Sequence, residues 1–284
     1  MIGVQELEFL HRDLLSAGVF PDKRFSQNFL INPEILHLLV EKAEISPKDH
    51  VLEIGGGTGV VTQQLAETKA HISVLEVHPK LIPFLQKKFS QNKNVEIMGK
   101  DFLHVELEKI PFTHVCCSPP YAIADDIMLG LFHHGFKTAS MVWQMEFAEK
   151  LLSPPGSQSY GPLSVLCQYF YDGTIAKKIS PQSFYPSPQQ FSAILVLKQR
   201  KKVEKISDYD LFVLFLRTLF RFKNKTVLNA IQQTIKHLHA EKNEEKILQV
   251  VKEMEWEDLK VFLLEPEELV ELFEEVAPLL PAVK

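Results

Sequence analysis

The sharpest chemical signal in this 284-residue chain is the tetrapeptide SPPY at positions 118–121. Two consecutive prolines stiffen the backbone, so the Ser118 side chain and the Pro119 carbonyl are held in fixed directions, and Tyr121 adds a flat aromatic face. Such a loop suits a planar base with an exocyclic amine. The ring stacks on Tyr121, while Ser118 and the loop carbonyl accept the two N–H groups. That draws the nitrogen lone pair out of conjugation and turns it towards an electrophile, without a strong general base. A rigid Pro–Pro turn with a packed tyrosine is the plain alternative.

An electrophile needs a holder, and VLEIGGGTGVV (51–61) has the form of one. Gly55, Gly57 and Gly59 follow an apolar run and open a helical pattern, which lets backbone N–H groups approach a ligand closely. A dinucleotide fingerprint, GxGxxG, would require glycine where Val60 stands, or Thr62 if counted from Gly57. The pattern is therefore GxGxG, which weakens the case for NAD or FAD. Glu76 lies 21 residues after Gly55 and can take both ribose hydroxyls of an adenosine-containing cofactor. In GKDFL, Asp101 can bond the adenine amine, and the apolar Phe102 can cover the ring.

These residues need a scaffold that gathers strand ends. HVLEI (50–54), HISVLEV (71–77), VEIM, THVCCS, SMVWQM and AILVLKQ (193–199) read as strands, with amphipathic helical stretches between several of them. This rhythm predicts an α/β fold with a mostly parallel sheet, whose carboxyl edge carries the turn, the two acids and the SPPY loop. SPQSFYPSP (180–188) must be a loop. The basic stretch QRKKVEK (199–205) marks a boundary, with a first domain over 1–200 and a small all-helical domain over 201–284.

Composition agrees with a soluble globular protein: 45% hydrophobic and 24% charged residues exclude disorder. The first 15 residues lack the layout of a signal peptide, and no apolar run is long enough to span a membrane. Cys116, Cys117 and Cys167 read as inert core thiols, and the adjacent His133 and His134 do not have metal-ligand spacing. The net charge of −5 is unevenly spread. Residues 201–242 hold nine basic and four acidic side chains, whereas the last 42 hold four and twelve. A basic surface facing a polyanion, with an acidic tail turned away, is one reading; solvated helix faces are the other.

GxGxG, Glu76, Asp101 and SPPY in this order resemble an S-adenosylmethionine-dependent methyltransferase acting on an exocyclic amine. RFSQNFLIN (24–32), YGPLSVLCQYF (160–170), FYPSPQQFSA (184–193) and FRFKNKTVLNA (220–230) narrow the resemblance, over essentially the whole chain, to the KsgA/Dim1 family of ribosomal RNA adenine dimethyltransferases. The resemblance implies a Rossmann-like catalytic domain. It also implies dimethylation of the N6 amines of two adjacent adenosines near the 3′ end of small-subunit rRNA. The Asn28 side chain, the Leu30 backbone, Gly55 and Gly57 would touch S-adenosylmethionine. Glu76 would hold its ribose, and Asp101 with Phe102 its adenine. Ser118, Pro120 and Tyr121 would form the target pocket, Ser118 also meeting the cofactor. Lys23, Arg24, Lys201, Lys202, Arg221, Lys223 and Lys225 are candidate phosphate contacts, and Phe184 and Tyr185 candidates for the far face of a flipped base.

The family usually has NLPY where this chain has SPPY. The expected partner is small-subunit rRNA within an immature subunit, with no membrane or metal involved, and the chain is expected to be a cytoplasmic monomer. Two rival readings are a resistance-type methyltransferase of large-subunit rRNA and a weakly catalytic ribosome-assembly factor. A methyltransferase of DNA or protein amino groups would also use SPPY, but the flanking motifs argue against it.

Overall fold

The computed structural model describes residues 4–19 and 28–281. The chain divides into two compact units. One holds the described residues up to 148 together with 172–199; the other holds 149–171 together with 200 onward.

In chain order the first unit begins with α1 (Val4–Ala17), β1 (Phe29–Leu30) and α2 (Pro33–Lys42). It continues with β2 (His50–Ile54), α3 (Val60–Glu67), β3 (His71–Leu75), α4 (Leu81–Lys88) and β4 (Val95–Met98). β5 (His114–Cys117), α5 (Ala124–His134) and β6 (Thr138–Gln144) follow. The chain then passes through α6 (Met145–Leu151) and α7 (Pro162–Phe170), and returns as β7 (Tyr171–Ile179), β8 (Phe184–Tyr185) and β9 (Ser192–Gln199).

Seven strands form one sheet in the order β4-β3-β2-β5-β6-β9-β7. The pairs β2–β3, β3–β4, β2–β5 and β5–β6 are parallel, and β6–β9 is antiparallel. β2, β3 and β5 are almost wholly buried, which explains why they read as continuous apolar runs rather than as alternation. The order reverses between β2 and β5, where successive connections leave in opposite directions and open a crevice at the carboxyl ends. β7 was not legible in the sequence: its pattern YDGTIAKKI is mostly exposed or half-buried because it lies at the sheet edge.

β1 and β8 form a separate two-stranded sheet that pairs Phe29 with Tyr185 and Leu30 with Phe184. The α2 helix starts where Asn32 accepts the N–H groups of Glu34 and Ile35. The α1 helix buries Leu10 and Leu14 in a cluster with Val19, Phe29, Ile31 and Leu81.

The second unit contains α8 (Tyr209–Leu219), α9 (Val227–His237), α10 (Glu244–Lys252) and α11 (Pro266–Val276). Asp208 and Thr226 cap α8 and α9, and Glu268 closes the start of α11 by accepting the Glu265 N–H at 2.7 Å. The boundary expected at residue 200 needs one correction. Residues 149–171 belong with these helices, because α7 packs on α8 and α11 and the Tyr160 hydroxyl donates to the Leu264 carbonyl at 3.0 Å. Among the described residues no helix is long and apolar enough to cross a membrane.

Candidate active site

Three strand ends, on β2, β3 and β4, and the loop after β5 converge on a cavity of about 290 Å³. The glycine turn forms one wall. Gly55 and Gly59 have φ of +81° and +79°, a left-handed conformation that favours glycine strongly. A Cβ on Gly55 would lie 3.5 Å from Pro120 Cδ, so the SPPY loop stands about one side-chain carbon away from the turn. Gly59 also serves as the cap of α3, and a Cβ there would meet the Phe89 ring at 2.6 Å.

Glu76 follows the last residue of β3 and is only 6% exposed. One carboxylate oxygen accepts the Gly57 N–H at 2.8 Å; the other accepts those of Val77 and His78 at 2.9 and 2.8 Å. The carboxylate is thus held in one orientation, with lone pairs left for a ligand hydroxyl. Asp101 accepts the Leu103 N–H at 3.0 Å and pairs with His104 at 3.3 Å. Phe102 is buried, lies on the cavity wall and is set close against Gly130 of α5. Asn28 and Leu30 line the cavity from the β1 segment, which is held there by the pairing of β1 with β8 and by the Ile31 N–H donating to the Ser183 carbonyl at 2.9 Å. Ser118, Pro120 and Tyr121 line it from the other side. The Tyr121 hydroxyl bonds the Ser192 hydroxyl at 3.1 Å, and burial pushes its pKa up to about 12, so the phenol stays protonated at neutral pH.

Glu53 and Thr58 are among the cavity residues that the sequence reading did not assign. Glu53, at 1% exposure, accepts the Thr62 hydroxyl at 2.7 Å. Burial first, and then the negative charge of Glu76, raise its pKa to about 8 against the Thr62 hydrogen bond. Its signal was an acid in an otherwise apolar strand. The buried Thr58 hydroxyl has no hydrogen-bond partner among the described residues. The Lys88 ammonium supports the turn from outside, donating to the Thr58 carbonyl and to Asp13 of α1, both at 2.8 Å.

This donor set fits S-adenosylmethionine better than a dinucleotide. A pyrophosphate needs free N–H groups and positive charge at the glycine turn. Here the Gly57 N–H is taken by Glu76, and the carboxyl groups of Glu53, Glu76 and Asp101 surround the space. Acidic walls and an orphan hydroxyl suit a ligand with diol hydroxyls and cationic groups.

The expected nucleic-acid residues fare unevenly. Lys23 and Arg24 lie outside the described residues. Phe184 is 2% exposed and packed in the core around Leu30, so its expected place on an accessible base face is corrected; Tyr185, half-buried and edge-on to His11 at 4.8 Å, is the aromatic nearer the surface. In the helical unit, Arg221 and Lys225 are exposed, the latter over the Phe222 ring at 5.6 Å. The Lys223 ammonium donates to the Gln158 and Tyr160 carbonyls at 2.7 and 3.3 Å, which makes it a brace within that unit. Cys116, Cys117 and Cys167 are buried free thiols; burial pushes Cys117 and Cys167 up to about 12.

Comparison with known proteins agrees with this geometry. The model of the family described as ribosomal RNA adenine dimethylase matches residues 21–270. A probable ribosomal RNA small subunit methyltransferase A of Methanococcoides burtonii is 36% identical over 248 residues, covering 87% of this chain and 90% of the relative. A protein of the same description from Thermococcus onnurineus is 33% identical over 257 residues, covering 90% and 92%. Among solved structures, a dimethyladenosine transferase from Plasmodium falciparum shares the fold with a TM-score of 0.79 at 24% identity, covering 88% of this chain and 98% of that one. The 23S rRNA methyltransferase ErmE superposes with a TM-score of 0.61 at 26% identity, covering 88% of this chain and all of that one. The chain belongs to the ribosomal RNA adenine dimethylase family, and is an S-adenosylmethionine-dependent rRNA methyltransferase built from a Rossmann-like unit and a helical one.

Proposed function

We propose that this protein dimethylates the N6 amines of two adjacent adenosines near the 3′ end of small-subunit rRNA, working in the cytoplasm as a monomer on immature small subunits. One observation carries the reading: a single acidic-walled cavity brings the SPPY loop, made for an amine on a planar base, against a turn and two acids made for an adenosine-containing cofactor.

S-adenosylmethionine supplies an activated methyl group and a good leaving group, so the task of the protein is orientation and electrostatics. Asn28, Leu30, Gly55, Gly57, Glu76, Asp101 and Phe102 hold the cofactor side of the cavity. The target adenosine must leave its stack to reach the strand edge. Ser118 Oγ and the Pro119 carbonyl accept the N6 hydrogens and localise the lone pair, and Tyr121 provides the stacking face. Pro120, packed towards Gly55, sets the distance between the two halves. With its pKa near 12 and its bond to Ser192, Tyr121 remains a neutral phenol and does not act as the base. The proton that leaves the methylated nitrogen therefore goes to solvent. After the first transfer one N–H remains for the second cycle.

Exposed Arg221 and Lys225 supply phosphate contacts from the helical unit, in the segment where basic residues outnumber acidic ones. The test is a methylation assay with labelled S-adenosylmethionine, offering immature small subunits and large subunits side by side. Dimethyladenosine mapped to the small-subunit 3′ end is the expected result. Label in large-subunit rRNA alone would select the resistance-type reading, and subunit binding without any transfer would select an assembly factor.

A further inference from the structure

The carboxyl edge of the sheet, where the SPPY loop stands, carries a pair of residues that methyl transfer itself does not use. β9 runs antiparallel to β6, so its first residue, Ser192, lies opposite Gln144 at the carboxyl end of β6. The Ser192 hydroxyl bonds that of Tyr121 at 3.1 Å, which ties the start of β9 to the target pocket. Phe191 comes immediately before it. Its carbonyl accepts the Met145 N–H at 2.9 Å, so the backbone is held on both sides, yet the residue is 46% exposed. Lys178, near the end of the neighbouring strand β7, sets its ammonium 4.2 Å from the centroid of the Phe191 ring. Among the described residues that ammonium has no hydrogen bond or ion pair. All these residues belong to the first unit.

We infer that Phe191 and Lys178 form a nucleotide platform at the rim of the target pocket. A base flanking the flipped adenosine stacks on the Phe191 ring, and the Lys178 ammonium meets a phosphate beside it. The inference rests on the proposed reaction on rRNA. Taking the target out of its stack leaves the neighbouring bases with an open face. A flat ring on a fixed backbone replaces part of that lost stacking, and it does so without reading sequence, because every base has a π-face. The cation beside it answers the charge of the strand. A lone exposed aromatic would need no explanation; here it stands at the catalytic edge, one residue from the partner of Tyr121. Its surroundings also favour RNA over the apolar face of another protein. Lys177, Lys178, Gln189 and Gln190 are all exposed, so the ring stands among polar and basic side chains and not in an apolar patch. The Lys178 stem covers part of the ring, which places the ammonium within side-chain reach of the backbone of a base stacked on the remainder.

Methyl transfer to immature small subunits is measured for the native protein, Phe191→Leu, Phe191→Tyr and Lys178→Gln. Leucine keeps the apolar bulk and removes the flat face, so KM for the subunit should rise about tenfold. KM for S-adenosylmethionine should stay unchanged. Tyrosine keeps the face and should leave both constants within about twofold of native. Lys178→Gln should lower the salt-dependence slope of subunit binding by about one. A native KM in Phe191→Leu, an equal loss in Phe191→Tyr, or an unaltered slope in Lys178→Gln overturns the platform. So does a rise in KM for S-adenosylmethionine matching that for the subunit, since a purely structural role for the ring would disturb both. Each of these results leaves the methyltransferase reading intact. Absence of any transfer to small subunits by the native protein overturns that reading instead.

Discussion

Replacing Glu53 by glutamine should make the first unit more stable at alkaline pH, and the size of the effect follows from the site. Glu53 sits in β2 with 1% of its surface exposed and its carboxyl hydrogen-bonded by Thr62. Burial is the main cause that lifts its pKa from 4.5 to about 8, and Glu76 adds to it. Between those two values the folded protein keeps a proton that the unfolded chain has released. The neutral carboxyl therefore contributes its full stability below pH 4.5, and that contribution is lost as pH rises towards 8. At about 1.4 kcal/mol per pH unit, the whole window corresponds to about 5 kcal/mol. Because Glu53 also borders the ligand cavity, water entering there reduces the cost, and a loss of about 3 kcal/mol is the working expectation. Glutamine keeps the shape and an acceptor for the Thr62 hydroxyl but does not titrate. Urea unfolding is measured from pH 5 to pH 9 without cofactor. Trp143 emission in a Trp256→Phe background reports the unit that contains Glu53. The two proteins should match near pH 5 and diverge by about 3 kcal/mol at pH 9, with Glu53→Gln the more stable. Parallel profiles would show that Glu53 is ionised in the folded protein and would refute the argument.

Other perturbations test other parts of the site. Glu76→Ala removes the acceptor of three backbone N–H groups, and calorimetry should show S-adenosylhomocysteine binding weakened by about tenfold to a hundredfold; unchanged affinity would remove the ribose assignment. Ser118→Ala deletes one acceptor for the target amine, so kcat should fall by about tenfold while KM for S-adenosylmethionine stays within about twofold. Gly59→Ala forces a Cβ into the Phe89 ring at 2.6 Å with φ at +79°, and thermal unfolding should report a loss of about 2 kcal/mol. Arg221→Gln and Lys225→Gln should each reduce the salt-dependence slope of small-subunit binding by about one; an unaltered slope in both would place the phosphate contacts elsewhere.

Much of the catalytic face was legible because its residues sit at strand ends, where local pattern and site coincide. Gly55, Glu76, Asp101 and Ser118 each follow a strand visible as a short apolar run, and each borders the cavity. Glu53 and Thr58 were not assigned: an acid in an otherwise apolar strand marks Glu53 as unusual without saying what it faces, and a threonine inside a turn carries no such mark. Phe184 misled for the opposite reason. In a proline-rich loop an aromatic reads as exposed, yet the two-residue pairing with Leu30 turns it into the core. Residues 149–171 read as part of the sheet domain by continuity of chain, whereas the apolar face of α7 finds its complement on α8 and α11.

Local chemistry alone thus determined the kinds of groups available. Glycines that tolerate positive φ, acids after strands and a proline-stiffened acceptor loop are properties of short segments, set by backbone sterics and side-chain type. Tertiary structure decided which of them meet. The parallel order β3-β2-β5 sets Glu76 and Ser118 on either side of the glycine turn, and the pairing of β1 with β8 carries Asn28 and Leu30 to the same cavity from a distant part of the chain. Protonation was decided there too. A glutamate alone in water titrates near 4.5, and only its removal from water beside a second carboxylate makes Glu53 hold its proton to about pH 8.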